Sequence, residues 1–324
     1  MRGHRLATLA RGPRLVARGI GSWRAASARG ARHRLAARAG IGYAHGMRIE
    51  FVKMQALGND FFVFDARHET SALRETAARW RMLADRHRGV GFDQALMLEA
   101  PRSEGTRAFY RIFNADGSEV EQCGNGARCL AALLYARRPE LGRDIELECP
   151  GGRVRARVLE DGRVRLDMGA PDFEPRSLPM DASAVADVYR LEAGDELVEV
   201  GAVSIGNPHA VLTVPNVETA RIAELGPRIE RHPRFPRRTN VGFMQIVDRS
   251  HILLRVFERG VGETCACGTG ACAAVAVGRR RGLLEPEVRV DLPGGPVEIA
   301  WRGDGASISL TGPALHVFDG TIDV

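Results

Sequence analysis

"RIFNADGSEVEQCGNGA", residues 111–127, recurs as "RVFERGVGETCACGTGA", residues 255–271. The two segments align without a gap at an offset of 144. Arg111 matches Arg255, Phe113 matches Phe257, Glu119 matches Glu263 and Cys123 matches Cys267. Gly124, Gly126 and Ala127 match Gly268, Gly270 and Ala271. Further out, "PGGRVRARVLEDGRVRLDMG" from Pro150 pairs with "PGGPVEIAWRGDGASISLTG" from Pro293, and "GND" at 58–60 returns as "GNP" at 206–208. Solenoid repeats run ~20–50 residues, so this longer period marks two homologous domains.

Local patterns in each copy agree. "FFVFD" and "HAVLTV" read as short strands, and "RVRARVLEDGRVRLDM" alternates about an Asp-Gly turn as a hairpin. "ARCLAALLYARR" and "ACAAVAVGRRRG" read as helices opened by small residues and closed by Arg, the second stopped by Gly282. The expectation is an α+β fold of two pseudo-symmetric domains, each a β-rich sheet wrapped around a central helix, with the active site in the cleft between them. The domains are expected at 47–168 and 169–312, with boundaries near Asp167–Ala170 and Gly312, where each matched hairpin closes.

The chain has 324 residues, room for about two domains, with ordinary shares of 44% hydrophobic and 27% charged residues. No stretch reaches the ~18 apolar residues of a membrane span. The formal charge of +6 comes from residues 1–46, which hold ten Arg and no acid; the rest carries 36 basic against 40 acidic residues. That balance, with no basic stripe beside aromatic platforms, argues against nucleic acid. Residues 1–46 have transit-peptide traits, but Lys53 is the only lysine against 45 Arg, so Arg-richness is chain-wide. The segment is read as a non-structural leader: either a start placed upstream of Met47, or a targeting segment. Bacterial cytoplasm is expected in the first case and an organelle only in the second.

Six Cys are present. Cys129, Cys149 and Cys272 read as small core residues, and the spacings lack the paired ligands of zinc sites, so no metal is expected. Cys123 and Cys267 differ. Each stands before a Gly at the mouth of a helix, where unpaired N–H groups and the positive dipole end are expected to lower a thiol's pKa. The glycines are expected to let a ligand approach the backbone. Two such thiols, facing across one cleft, suit inversion at a carbon. One thiolate takes the α-proton and the opposite thiol delivers a proton to the other face, with sulfurs roughly 7 Å apart. The substrate carboxylate would lie on the helix N-termini. A pyridoxal phosphate racemase needs a Schiff-base lysine, for which Lys53 is the one candidate; P-loop and dinucleotide patterns fail. No cofactor is expected.

"ALGNDFFVFD", "GFDQALML", "FNADGSEVEQCGNGARC", "GNPHAV", "TNVGFMQ" and "RVFERGVGETCACGTGACAA" resemble the diaminopimelate epimerase family, from about residue 48 to the C-terminus. The resemblance implies a cofactor-independent homodimeric epimerase that interconverts LL- and meso-diaminopimelate for lysine and peptidoglycan synthesis. No nucleic-acid or membrane partner is implied. Cys123 and Cys267 match the catalytic thiols. Asn59, Gln94, Asn114, Asn207, Asn240 and Arg259 match substrate-binding positions. Backbone N–H groups of Gly124, Asn125, Gly268 and Thr269 match the carboxylate clamp, and His209 and Glu258 match polar neighbours of the thiols. Residues 313–324 are implied to return to the first domain. Cys265 has no counterpart in the repeat and is read as incidental.

Without the resemblance, Asn59 and Asn207 are equally turn residues, and Gln94 and Asn240 pass as surface or turn residues. His209 is then a satisfied polar residue, and Glu258–Arg259 an ion pair. A proline or hydroxyproline racemase shares the thiol logic but has no use for a distal Asn and Arg259 set. A redox sensor built on a Cys123–Cys267 disulfide is the rival of a different class.

Overall fold

The computed structural model describes residues 48–67 and 76–323. Residues 1–46, and every reading of them as a leader, lie outside the described residues. Strands of the first repeat are β1 (Arg48–Ala56), β2 (Asn59–Asp65), β3 (Gln94–Glu99), β4 (Ala108–Asn114), β5 (Glu119–Val120), β6 (Asp144–Cys149), β7 (Gly152–Val158) and β8 (Val164–Asp167). Those of the second are β9 (Tyr189–Glu192), β10 (Leu197–Ser204), β11 (Pro208–Thr213), β12 (Asn240–Asp248), β13 (His251–Glu258), β14 (Gly262–Thr264), β15 (Glu287–Leu292), β16 (Gly295–Ala300) and β17 (Ser309–Gly312), followed by β18 (Leu315–Asp323). The helices are α1 (Ala77–Ala84), α2 (Gly124–Arg137), α3 (Ile222–Glu230) and α4 (Gly268–Arg280).

Strand pairing repeats as the sequence does. β1–β2 is antiparallel, β2–β3 parallel, β3–β4 antiparallel, β4–β6 parallel, and β6–β7–β8 antiparallel. The same order of senses runs through β10–β11, β11–β12, β12–β13, β13–β15 and β15–β16–β17. A parallel pair needs a long crossover. α1, α2, α3 and α4 lie, in that order, in the four crossovers. β8 and β17, equivalent strands, pair with each other, Asp167 opposite Ser309 and Val164 opposite Gly312. β18 adds antiparallel to β1 as β9 adds to β10.

α2 and α4 are the wrapped helices. Every residue of α4 from Gly270 to Gly278 is buried, a run of small side chains with no polar face. A helix apolar all round belongs inside a core. α2 buries Leu130, Leu133 and Leu134 against strands of the first repeat, each worth roughly 1.5–3 kcal/mol. Cys129, Cys149 and Cys272 sit in these cores at 0%, 4% and 0% exposure, as expected of small apolar residues. α1 and α3 cover the outer sheet faces with separate cores: Trp80 and Leu83 with Phe62, and Ile222 and Ile229 with Tyr189. The sequence patterns had pointed to one main helix per domain. α1 and α3 are short and present only one apolar face, and α3 carries Pro227 internally, which hid it.

The wrapping leaves no slack at Gly201 of β10. A Cβ there would fall 2.3 Å from Val277 Cγ1 of α4. Gly201→Ala should therefore cost about 1–3 kcal/mol by overpacking and lower the melting temperature by several degrees. Calorimetry checks this. The double variant Gly201→Ala/Val277→Ala should melt above Gly201→Ala alone; an unchanged melting temperature in the single variant contradicts the packing.

Candidate active site

Cys123 and Cys267 are the N-cap residues of α2 and α4, with extended backbone at φ −146° and −112°. Their carbonyls accept the first helical hydrogen bonds, from Ala127 N–H at 2.9 Å and Ala271 N–H at 3.0 Å. Neither thiol makes a side-chain capping hydrogen bond to its own helix.

From Cys123 a chain of polar contacts runs through Asn59. Asn59 Oδ1 accepts from Cys123 Sγ at 3.9 Å and from Asn125 Nδ2 at 3.3 Å. The sulfur contact is long and weak; the amide contact is the firmer of the two. Asn125 Nδ2 also reaches the Ala266 carbonyl at 3.5 Å, the residue before Cys267, which ties the two N-caps together. Asn59 Nδ2 donates to Asp93 Oδ2 at 3.2 Å. Asp93 and Asp60 are gathered by Arg86, and Asp60 by Lys53 at 2.6 Å; these cations hold the Asp60 carboxyl well below the usual range against its burial. The single lysine is thus committed to an ion pair. Gln94 Nε2 donates to Asn114 Oδ1 at 2.9 Å, while Gln94 Oε1 is buried with no partner among the described residues.

Around Cys267 the neighbours differ. Cys267 Sγ donates to Glu258 Oε2 at 3.2 Å, and Thr264 holds the other carboxylate oxygen at 2.5 Å. Thr269 Oγ1 lies 3.6 Å from Cys267 Sγ and accepts from Asn207 Nδ2 at 3.4 Å. His209 Nε2 meets Asn207 Oδ1 at 3.0 Å. His209 therefore reaches the thiol only through Asn207 and Thr269. Asn240 Oδ1 accepts from the Arg259 backbone N–H at 2.9 Å, while the Arg259 guanidinium is exposed and donates to the Arg237 carbonyl at 3.3 Å. Glu258 and Arg259 do not pair with each other among the described ion pairs; Glu258 is turned to the thiol instead. Cys265 is exposed.

Two expectations need correction. The helix N-termini do not lower the thiol pKa values. Burial dominates and pushes Cys123 up; the N–H groups of Gly126 and Asn125 and the Arg128 charge oppose it without prevailing. Cys267 is pushed well above the usual thiol range by burial and by the Glu258 charge, against Thr269 and Gly270 N–H. A desolvated thiolate loses more from leaving water than one helix end returns. The glycines, second, are not all for ligand approach. A Cβ on Gly126 would lie 2.9 Å from Leu96 Cδ2, and one on Gly270 2.9 Å from Val256 Cγ2 and 3.3 Å from Cys267 Sγ. These two serve close helix–sheet packing. Gly124, whose Cβ would meet nothing nearer than 3.7 Å, keeps the ligand-approach reading.

His209 is 1% exposed, and burial, with the Arg259 charge, pulls its pKa from 6.5 to about 3. The fold favours the neutral ring, so this stability is intact above pH 6.5 and lost as pH falls toward 3. His232 is shifted the same way by burial, and Asp60 adds a loss only at more acidic pH. Between pH 6 and 4, His209 alone should contribute a loss of about 1.4 kcal/mol per pH unit. Urea denaturation at pH 7 and pH 4.5 should show a smaller acid loss for His209→Gln than for the parent chain; equal losses contradict the assignment.

Known proteins share this architecture. A hydroxyproline epimerase from Agrobacterium vitis superposes with a TM-score of 0.60 at 16% identity, over 86% of this chain and 93% of that one. A PhzF-family phenazine biosynthesis protein from Bacillus anthracis gives 0.59 at 18% identity, over 86% and 100%. A probable proline racemase from Agrobacterium radiobacter gives 0.58 at 19%, over 85% and 92%. At such identities the likeness is one of fold. The sequence profile described as "Diaminopimelate epimerase" matches residues 51–174 and 201–317, covering both thiols and both repeats. The chain belongs to the diaminopimelate epimerase family.

Proposed function

We propose that the protein epimerises diaminopimelate between its LL and meso forms, with Cys123 and Cys267 as an acid–base pair acting on opposite faces of one α-carbon. The observation that carries the reading is the pair of N-cap thiols on two pseudo-symmetric helices, joined through Asn125 and the Ala266 carbonyl. In this mechanism one thiolate takes the α-proton and becomes a thiol. The C–H electron pair passes into the carboxylate, giving an enediolate that the N–H groups of Gly124, Asn125, Gly268 and Thr269 hold. The opposite S–H delivers its proton to the other face, leaving a thiolate there. The Glu258 carboxylate, accepting from Cys267, is placed to orient that S–H.

Diaminopimelate is preferred over proline on the polar set beyond the thiols. Gln94 Oε1 is an open buried acceptor suited to an ammonium, and the exposed Arg259 guanidinium suits a distal carboxylate. Domain boundaries near Asp167–Ala170 and Gly312 belong to the same reading, as does catalysis without a cofactor in a bacterial cytoplasm. A homodimer does too. β18 pairs only with β1 among the described strands, and Leu315, Val317 and Phe318 on it are 50%, 51% and 45% exposed. Apolar edge strands are seldom left uncovered, and a second copy would cover this one.

The test is α-proton exchange followed by NMR with diaminopimelate and with proline. Exchange with diaminopimelate alone is expected; exchange with proline alone assigns the proline-type activity, and exchange with neither sinks the acid–base reading. Cys123→Ala and Cys267→Ala should each lower epimerisation by roughly 10²–10⁴-fold. Arg259→Met should raise KM for diaminopimelate by roughly 10–100-fold, the worth of a charged hydrogen bond. Sedimentation should give a dimer, and a monomer at all concentrations would remove that part.

A further inference from the structure

Arg128 lies one turn inside α2 from Cys123 and is 0% exposed, the largest of the fully buried side chains. Its Nη2 donates to Asn125 Oδ1 at 2.8 Å and its Nε to the Pro313 carbonyl at 3.3 Å. Its Nη1 is buried with no partner, and no ion pair among the described residues includes it. The cavity is shaped for it: a Cβ on Gly312 would fall 3.3 Å from Nε and 3.4 Å from Cζ. A guanidinium stays charged, and a buried charge without a counter-ion is costly.

Asn125, which Arg128 holds, donates to the same Asn59 Oδ1 that accepts from Cys123 Sγ, so hydrogen bonds link the guanidinium to that thiol; the other acidic groups within reach of its charge are Cys129 on α2 and Cys272 on α4. Burial pushes Cys129 and Cys272 up to about 12, so they are neutral and offer no compensation. Cys123 is the remaining acidic group. The repeat sharpens the point: at the offset of 144, Arg128 corresponds to Cys272, so α4 has no cation at this place. The second thiol has an anion instead, Glu258, accepting from Cys267 at 3.2 Å. The groups facing Cys123 are Arg128 and Cys129 from α2, Glu258 from β13 and Tyr110 from β4. Arg128 is the one cation among them.

We propose that Arg128 is a positioning residue that polarises the thiol pair: it fixes the Asn125 side chain between the two N-caps and supplies the positive charge that makes Cys123, rather than Cys267, the thiol that ionises first. In that step the Cys123 S–H bond breaks, its proton passes to solvent, and the thiolate remains at the mouth of the helix that carries Arg128. The inference rests on the reading of the two thiols as an acid–base pair.

The test is the pH dependence of iodoacetamide alkylation of the full chain, with Cys123 and Cys267 followed separately by peptide mass spectrometry. In the parent chain the rate midpoint for Cys123 should fall below that for Cys267. Arg128→Met should raise the Cys123 midpoint by a unit or more, about a tenfold slower reaction on the rising limb, and leave Cys267 in place. Arg128→Lys should keep the Cys123 midpoint, because the charge remains, but raise KM, because the fork to Asn125 and Pro313 is lost. A Cys123 midpoint unmoved in Arg128→Met, or both midpoints moved alike, overturns the proposal. If Arg128→Met does not fold, the parent chain and Arg128→Lys decide: Cys267 ionising first in either overturns it. Alkylation needs no substrate, so an inactive chain that keeps this Arg128-dependent order refutes the epimerase reading, while an active chain without that order refutes the role given to Arg128.

Discussion

The antiparallel pairing of β8 with β17 is the interaction on which the site depends. Leu166 stands opposite Leu310 across it, both in the cores that hold the helices. Because each strand closes its own repeat, joining them sets the two halves about a pseudo-two-fold axis. That axis brings α2 and α4 together by their N-terminal ends, with Asn125 spanning to Ala266. The N-cap of α2 has no local reason to lie beside an N-cap 144 residues away; the paired strands supply one.

Symmetry of backbone is not symmetry of charge. Cys123 faces an amide that a buried guanidinium reaches through Asn125, while Cys267 faces a carboxylate and a hydroxyl. Burial raises both thiols above their usual range. Removal from water makes the thiolate a stronger base once formed, which suits abstraction of a weakly acidic α-proton. In the proposed reaction the helix N–H groups steady charge that develops on the substrate.

Much of this was legible in the chain. The gapless match of residues 111–127 with 255–271 predicted two domains and two equivalent helices, and the N-cap cysteines sit at their mouths. The pairing of Asn125 with Asn59 was not legible, because the two lie 66 residues apart. Arg128 passed as one more arginine in an arginine-rich chain. Its signal was a charge inside "ARCLAALLYARR" where the repeat has Cys272. The direction of the thiol pKa shifts was misread because helix ends show in a sequence and desolvation does not. The two packing glycines were misread likewise, since Leu96 and Val256, which press on them, come from other strands.

In the proposed mechanism each thiol owns one face of the α-carbon. Epimerisation run in D2O from the LL isomer, stopped after a few per cent conversion, tests it by mass spectrometry of both isomers. Two bases predict one α-deuterium in the meso product and none in the recovered LL substrate. The product's proton comes from the solvent-equilibrated opposite thiol, while return to substrate uses the proton just removed. Deuterium appearing in recovered LL substrate as fast as meso product forms would contradict the account.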